Sequence, residues 1–448
     1  MPTLFLGNAD TEAMVASPQT LDAQYRQFST SASRRHLWMM EPGDAIVLPC
    51  AGTAEHLRYI EALCGFEQGT FRTFYTQGRS DAPHTISRDG LSDLALLDRL
   101  KCLHLADDAW RLEPYIADQV AFEFARLIKV PVRFGSYGTP GPESADLFND
   151  KRVFRGIASG LGVPTAPGRT CSSPAHMALA LNELMPLTGS CIVKLDRHSG
   201  AQGNVLVTRN AVQNAPGTHK VHHVSSEQDY KKIAGTVCLE LSRGQTPFFV
   251  VESYFHTAHS VGIHYLLSAD EVILNGIADI RLSPAYAGMV WPTSLPHGIV
   301  HQLLAVGYTL ARGIAKLGHR GPLSVDAIIC PGDRIMVSEV NARHGGFTAA
   351  KAVIDKLLPG DRKVARIAAL RTDLTSALDF RSLVTVLERE ALGFNRDDRK
   401  GIVVTVEDLQ YTGRVEILTV AESVNELEHF EERFIRCVCR PLSREARQ

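Results

Sequence analysis

No run in this sequence approaches the ~18 apolar residues that a membrane-spanning helix needs, so no span is expected. The opening residues, MPTLFLGNADTEAM, lack a basic stretch leading into a long apolar one, and no secretory leader is expected. An excess of one charge is also missing. Lys and Arg total 47 against 49 Asp and Glu, a formal −2 with no basic stripe, which argues against nucleic-acid or acidic-membrane partners. The nine cysteines show no paired C-x-x-C spacing, which speaks against a structural zinc site; reduced, buried thiols in a cytosolic protein are expected. Only Cys437 and Cys439 lie close, and two residues apart on a strand they would point the same way. There is no internal repeat, no low-complexity block and no Walker A loop.

What remains is a chain of 448 residues, 45% hydrophobic and 21% charged, which suits a soluble protein of two to four domains. Asp44–Leu48 reads as a buried strand. It is followed by a small-residue turn (Pro49–Thr53) without G-x-G-x-x-G, then by a helix with Leu57, Ile60 and Leu63 at helical spacing. Such βα units build an open α/β sheet. A Gly/Pro-rich stretch, 134–144, is expected to be a linker. A helix follows with Asn149 as its N-cap, ended by Gly162 and Pro164. Strands are expected at 191–195, 204–208, 247–252, 259–267, 271–278, 323–330 and 334–340, with a long helix over roughly 300–317 and a loop over 213–228. Residues 401–407 and 414–419 read as a hairpin. Ser423–Glu426 reads as a capping box opening a last helix, and the final SREARQ as frayed.

Chemistry concentrates in a late hairpin. With an even-numbered loop, Asp326 would face Glu339, and Asn341 would share that face two residues on. Two carboxylates side by side repel unless a cation sits between them, and hard oxygens suit Mg²⁺ carrying substrate phosphates. Lys194 ends an apolar strand and runs into Ser199-Gly200-Ala201-Gln202-Gly203, whose small residues let backbone N–H groups approach a phosphate. Lys151 opens a helix, where its charge opposes the dipole, a misfit that an anionic partner would relieve. Phe248–Val251 is an apolar strand ending in Glu252, Ser253 and Tyr254, whose backbone and acid could hold a nucleotide base. Each element alone has a plain structural explanation: a solvated strand face, a glycine hairpin, a surface lysine, a strand exit.

Taken in order, Asn149-Asp150-Lys151, Gly162-Val163-Pro164, Val193-Lys194 with its glycine loop, Val251-Glu252-x-Tyr254, Asp326 and Glu339-Val340-Asn341-Ala342-Arg343 resemble the ATP-grasp superfamily over roughly 147–350. The length and the Glu339–Gly346 segment also resemble peptide ligases of the pheganomycin-ligase group. The resemblance implies a multidomain α/β and α+β protein: an open α/β pre-ATP-grasp domain (1–146), an ATP-grasp domain (147–357) and an extra small C-terminal α+β domain (358–448). It implies ATP on Lys151, Lys194, residues 199–203, Glu252, Ser253 and Tyr254. It implies Mg²⁺, with Mn²⁺ as a substitute, on Asp326, Glu339 and Asn341, and Arg343 on the transferred phosphoryl group. Many relatives place a second glutamate for the ribose where this chain has His259, so the ribose contact is expected from His259 or from elsewhere. Arg281, His344, Gly345 and Gly346 are candidate substrate contacts.

The implied activity joins a small acid or unusual amino acid to the amino group of a peptide through an acyl phosphate, in peptide natural-product (antibiotic) biosynthesis. The alternatives are other ATP-grasp chemistry, namely carboxylation or small-molecule phosphorylation, and a non-catalytic ATP-binding regulatory protein. Substrate identity and oligomeric state stay open, homodimers being common on general grounds.

Overall fold

The computed structural model describes residues 1–9, 11, 14–15, 23–76, 86–105, 109–134, 143–198, 200–242, 248–255, 259–358, 360 and 366–439. Ser199, most of the expected linker and the terminal SREARQ lie outside them. Strands β1 (Thr3–Leu6), β2 (Ala45–Leu48), β3 (Arg72–Tyr75) and β4 (Arg111–Pro114) form a parallel sheet in the order β3-β2-β1-β4. β1 and β2 are short and buried at every position, as parallel strands covered on both faces must be. The helix after β2, Ala54–Cys64, begins where the Thr53 side chain accepts the His56 N–H and ends at Gly65, with φ 73°.

The middle of the chain builds a second sheet. It contains β5 (Gly168–Cys171), β6 (Ser190–Leu195), β7 (Asn204–Thr208), β8 (Lys220–His223) and β9 (Phe249–Ser253), in the order β5-β9-β6-β7-β8. Helices Pro174–Thr188 and Tyr230–Ser242 cover one face through Leu181, Leu184, Val193, Val205 and Val237. Each such buried aliphatic side chain contributes about 1.5–3 kcal/mol.

The third sheet is the largest. β10 (His259–Leu267), β11 (Val272–Leu282), β12 (Tyr286–Trp291), β13 (Gly321–Cys330), β14 (Arg334–Asn341), β15 (Ile367–Thr375), β16 (Gly401–Asp408) and β17 (Arg414–Ala421) run in the order β14-β13-β10-β11-β12-β15-β17-β16. Helix His297–Lys316 packs Leu303, Leu310 and Ile314 on Ile263, Tyr265 and Val325. The seam between β12 and β15 needs Gly288: a Cβ there would stand 1.9 Å from the Leu370 carbonyl oxygen. Beyond the seam, β15–β17 and helices Phe380–Arg389 and Val424–Val438 form a small C-terminal domain with its own core of Leu383, Leu387, Ile402, Val404, Ile417 and Phe434. Buried ion pairs tie the first domain to it. Arg34 meets Glu407 at 3.2 Å, and Arg35 meets Glu416 through Nε at 3.1 Å. Among the described residues, no helix is long and apolar enough to cross a membrane.

Several local expectations need correction. The helix cap at Lys151–Gly160 is Asp150, which accepts from Arg152 N–H at 2.7 Å; Asn149 is engaged elsewhere. The expected 213–228 loop contains β8, a polar edge strand whose partly exposed residues carry no buried alternation for a sequence reading to detect. β11 extends to Leu282 because Asp279–Leu282 continue to pair, with β12. Cys437 lies in the last helix and Cys439 just after it, not together on a strand; all nine thiols are free.

Candidate active site

The hairpin loop Pro331–Asp333 has three residues, with Gly332 and Asp333 at φ 77° and 59°. An odd loop would set Asp326 opposite Ser338 and turn Glu339 away. A bulge at Ser338 shifts the register, so Asp326 pairs with Glu339 and Ser324 with Asn341. Asp326 Oδ1 accepts the Ser324 hydroxyl at 2.6 Å, and Oδ2 accepts Asn341 Nδ2–H at 3.0 Å. Burial, then the Glu339 charge, raises the Asp326 pKa. For Glu339, burial pushes upward, but Lys151, Lys194 and Arg343 outweigh it and keep the carboxylate ionised.

Lys151 sits at the helix start because its N–H is held by the Asp196 carbonyl at 2.9 Å. Its Nζ lies 3.2 Å from Glu339 and donates to the His198 carbonyl at 3.1 Å. Lys194, buried at the end of β6, lies 2.7 Å from Glu252, which also pairs with Arg155. Gly200 and Ala201 both take φ 63°, and Gly203 passes so close to His198 that a Cβ would stand 2.8 Å from its side chain. Asn149 Oδ1 accepts from Ala342 N–H at 3.1 Å and from Arg343 Nη1, which aims the guanidinium.

These elements enclose one cavity of about 1010 Å³. Lys151, Lys194, Gly200, Ala201, Gly203, Glu252, Ser253, Tyr254, Asp326, Glu339, Asn341, Arg343, His344, Gly345 and Gly346 all line it. His259 and Arg281 do not, and both expectations are corrected. His259 Nε2 lies 2.8 Å from Asp279 on the neighbouring strand, and Arg281 Nη1 pairs with Glu431 of the last helix at 2.7 Å. β9 is not the exposed strand expected for the base. β5 and β6 flank it, and Ser253 and Tyr254 donate their N–H groups to Pro167 and Ser190 carbonyls. The Gly345 N–H, a candidate substrate contact, is likewise taken, by Thr348 Oγ1 at 3.0 Å.

Several contributors were missed by sequence reasoning. Asn149 was read as a cap and a motif position but given no role in the site, and Arg155 was not read at all. His264 shares the Asp326 face of the sheet, its ring flat on Phe347 at 3.8 Å between centroids, and burial lowers its pKa to about 3. The Gly262/His264 alternation on β10 was the available signal. Arg35, Tyr115, Thr372 and Asp373 line the cavity from distant parts of the chain.

The donor chemistry fits a hard divalent cation: two carboxylates and an amide within one face of a hairpin. Among the described residues no group of three or more His, Cys, Asp or Glu could hold a metal, so a cation here would need ligands beyond these side chains.

Comparison with known proteins agrees with this architecture. Residues 33–130 match the family model described as the pre ATP-grasp domain, and residues 382–434 that described as the PGM1 C-terminal domain. No curated protein matches the sequence. Similar solved structures include an N5-carboxyaminoimidazole ribonucleotide synthetase from Thermus thermophilus (14% identity, 99% of this chain and 100% of that one, TM-score 0.56). Others are a biotin carboxylase from Campylobacter jejuni (13%, 97% and 91%, 0.58) and an L-amino acid ligase from Bacillus licheniformis (13%, 98% and 98%, 0.55). The fold is that of the ATP-grasp ligases and carboxylases, with a pre-ATP-grasp-like N-terminal region and a distinct small C-terminal domain.

Proposed function

We propose that this chain is an ATP-dependent enzyme that phosphorylates a carboxylate and passes its acyl group to an amine nitrogen. The observation that carries this reading is the convergence of Lys151, Lys194 and Arg343 with Asp326, Glu339 and Asn341 on one cavity. At about 1010 Å³ it stands at the upper end of the range for small-molecule sites, which leaves room for a nucleotide and a second substrate.

A carboxylate resists attack because its leaving group would be oxide. A carboxylate oxygen attacks the γ-phosphorus, ADP leaves, and the acyl phosphate then has phosphate as its leaving group. The amine attacks the carbonyl carbon, phosphate departs, and the amine nitrogen loses a proton. The chain's part in the first step is positioning and charge neutralisation. Lys151 and Lys194 hold the phosphates, the 200–203 backbone closes on them, and Arg343, aimed by Asn149, spreads the charge on the transferred group. Asp326, Glu339 and Asn341 would hold Mg²⁺ or Mn²⁺, which would offset phosphate charge when bound.

Two finer readings follow from the identity of the acid. With bicarbonate the reaction is an N-carboxylation; with an organic acid it forms an amide. Carboxylation has the wider support, since several of the similar structures are carboxyaminoimidazole synthetases and another is a biotin carboxylase. Amide formation has the L-amino acid ligase as its counterpart. The narrower expectation of a peptide ligase in natural-product biosynthesis has no specific support among these structures. The test is ADP release with Mg·ATP and labelled bicarbonate or a panel of organic acids, each with and without amines. Label fixed into an acid-labile product selects carboxylation, and a new amide by mass spectrometry selects ligation. ATP binding without ADP release on any pair leaves a regulatory ATP-binding protein.

A further inference from the structure

The cavity extends past the phosphate-binding end to a wall that the nucleotide reading does not use. Arg35, Tyr115 and Tyr286 line it, from three separate elements: the 3₁₀ turn Ser33–Met39, the end of β4 and β12. The Arg35 guanidinium is buried, and Glu416 takes one edge of it, accepting from Nε at 3.1 Å and from Nη2. Glu416 is itself fixed by the Thr405 hydroxyl at 3.0 Å. Among the described residues, Nη1 has a single contact, a long 3.5 Å one to the Tyr115 hydroxyl. Among the described residues, the Tyr286 hydroxyl has no hydrogen-bond partner. That hydroxyl is close to the reacting end: a Cβ on Gly346 would stand 3.1 Å from it, and the charges acting on it include Arg35, Glu416 and Asp326.

We propose that Arg35, Tyr115 and Tyr286 form an anchor for a non-reacting carboxylate on the amine substrate, making that substrate amino-acid-like. The proposal rests on the amine-acceptor reading given above. A guanidinium edge flanked by two hydroxyls supplies planar donors that match a carboxylate. Glu416 already offsets most of the Arg35 charge, so a singly charged carboxylate fits the remaining field better than a doubly charged phosphate. Glu416 is a positioning residue that locks the Arg35 fork from the C-terminal domain. That link explains why a buried ion pair joins the first and last domains beside the cavity.

The test measures ligand-induced melting shifts of the full chain in saturating Mg·ADP. The probes are the twenty L-amino acids as free acids, the same compounds as carboxamides, and inorganic phosphate. At least one free acid should stabilise the protein and its carboxamide should bind about tenfold more weakly or worse, the loss of one charge-assisted contact. Tyr286→Phe and Tyr115→Phe keep the fold and should each weaken the free acid about five- to tenfold, with ADP affinity unchanged. Arg35→Met paired with Glu416→Met removes both buried charges together and should abolish the acid-over-carboxamide preference. Equal binding of acid and carboxamide, stabilisation by phosphate in place of the acids, unaltered affinity in the tyrosine variants, or no response to any free acid while Mg·ADP binds would each overturn the anchor. Failure of the wild-type chain to bind Mg·ADP would instead overturn the nucleotide reading beneath it.

Discussion

Asp326 faces Glu339 across β13 and β14 because Ser338 adds one residue to β14, correcting the register that the three-residue turn would otherwise impose. The bulge holds two carboxylates side by side in a half-buried site, an arrangement that opposes folding unless something else requires it. Asp326→Asn should therefore relieve repulsion. The ligand-free variant is expected to melt at the same temperature or a few degrees higher, while ADP release falls about 100-fold or more. Thermal melting and turnover of one preparation check both halves. A variant that loses stability and keeps turnover would show the pair to be structural.

Lys194 and Glu339 test the phosphate end from both signs. Removing Lys194 leaves Glu252 with Arg155, so the fold should survive. Lys194→Ala and Glu339→Ala are each expected to reduce ATP turnover by about 10²–10³-fold, the scale of losing one charge stabiliser, without altering the far-ultraviolet dichroism. Near-normal turnover in either purified variant would remove the residue from the proposed machinery.

His259 and Arg281 supply the opposite control. His259→Ala should leave the KM for ATP within about twofold, because its partner is Asp279 and it lies outside the cavity lining. Arg281→Ala should also leave KM unchanged but lower stability by about 2 kcal/mol, the worth of a hydrogen bond between charged groups, since among the described residues Glu431 then keeps Arg371 alone. A large rise in KM for ATP in His259→Ala, or in KM for the acid or amine substrate in Arg281→Ala, would restore the original reading.

How much of this was legible depended on distance along the chain. Asp326, Glu339, Asn341 and Arg343 lie within one hairpin and the residues just beyond it, so strand periodicity sufficed to bring them together. The register argument reached the right pairing only because the bulge compensated an odd loop. Lys151 and Lys194 could be named from local misfit and from a glycine loop. The far wall could not: Arg35, Tyr115 and Thr372 meet only when three separate parts of the chain pack, and nothing local marks them. His259 and Arg281 failed for a related reason, since position in a motif does not say what stands across the neighbouring strand. β8 was hidden because an edge strand needs no apolar alternation.

Glu113 offers a test by pH. It is buried, held by Arg133 at 2.5 Å and His344 at 3.2 Å, and His344 packs edge-on against His36 with ring centroids 4.9 Å apart. Burial alone would raise its pKa. The close contact with His344, the Arg133 guanidinium and the neighbouring His36 outweigh it and bring the value down from 4.5 to about 2. A carboxyl whose folded pKa lies below its unfolded one contributes stability that is complete above the unfolded value. That stability is lost as pH falls from about 4.5 through about 2. The shift corresponds to an upper bound on the order of 3 kcal/mol. Glu113→Gln should therefore be less stable at neutral pH, and its unfolding free energy should fall less steeply with acid across that window. Urea titrations at intervals from pH 7 to pH 2 would measure both. Acid limbs of equal slope in the variant and the wild type would mean that Glu113 is not the group being titrated, and that the contacts to Arg133 and His344 do not hold its charge in solution.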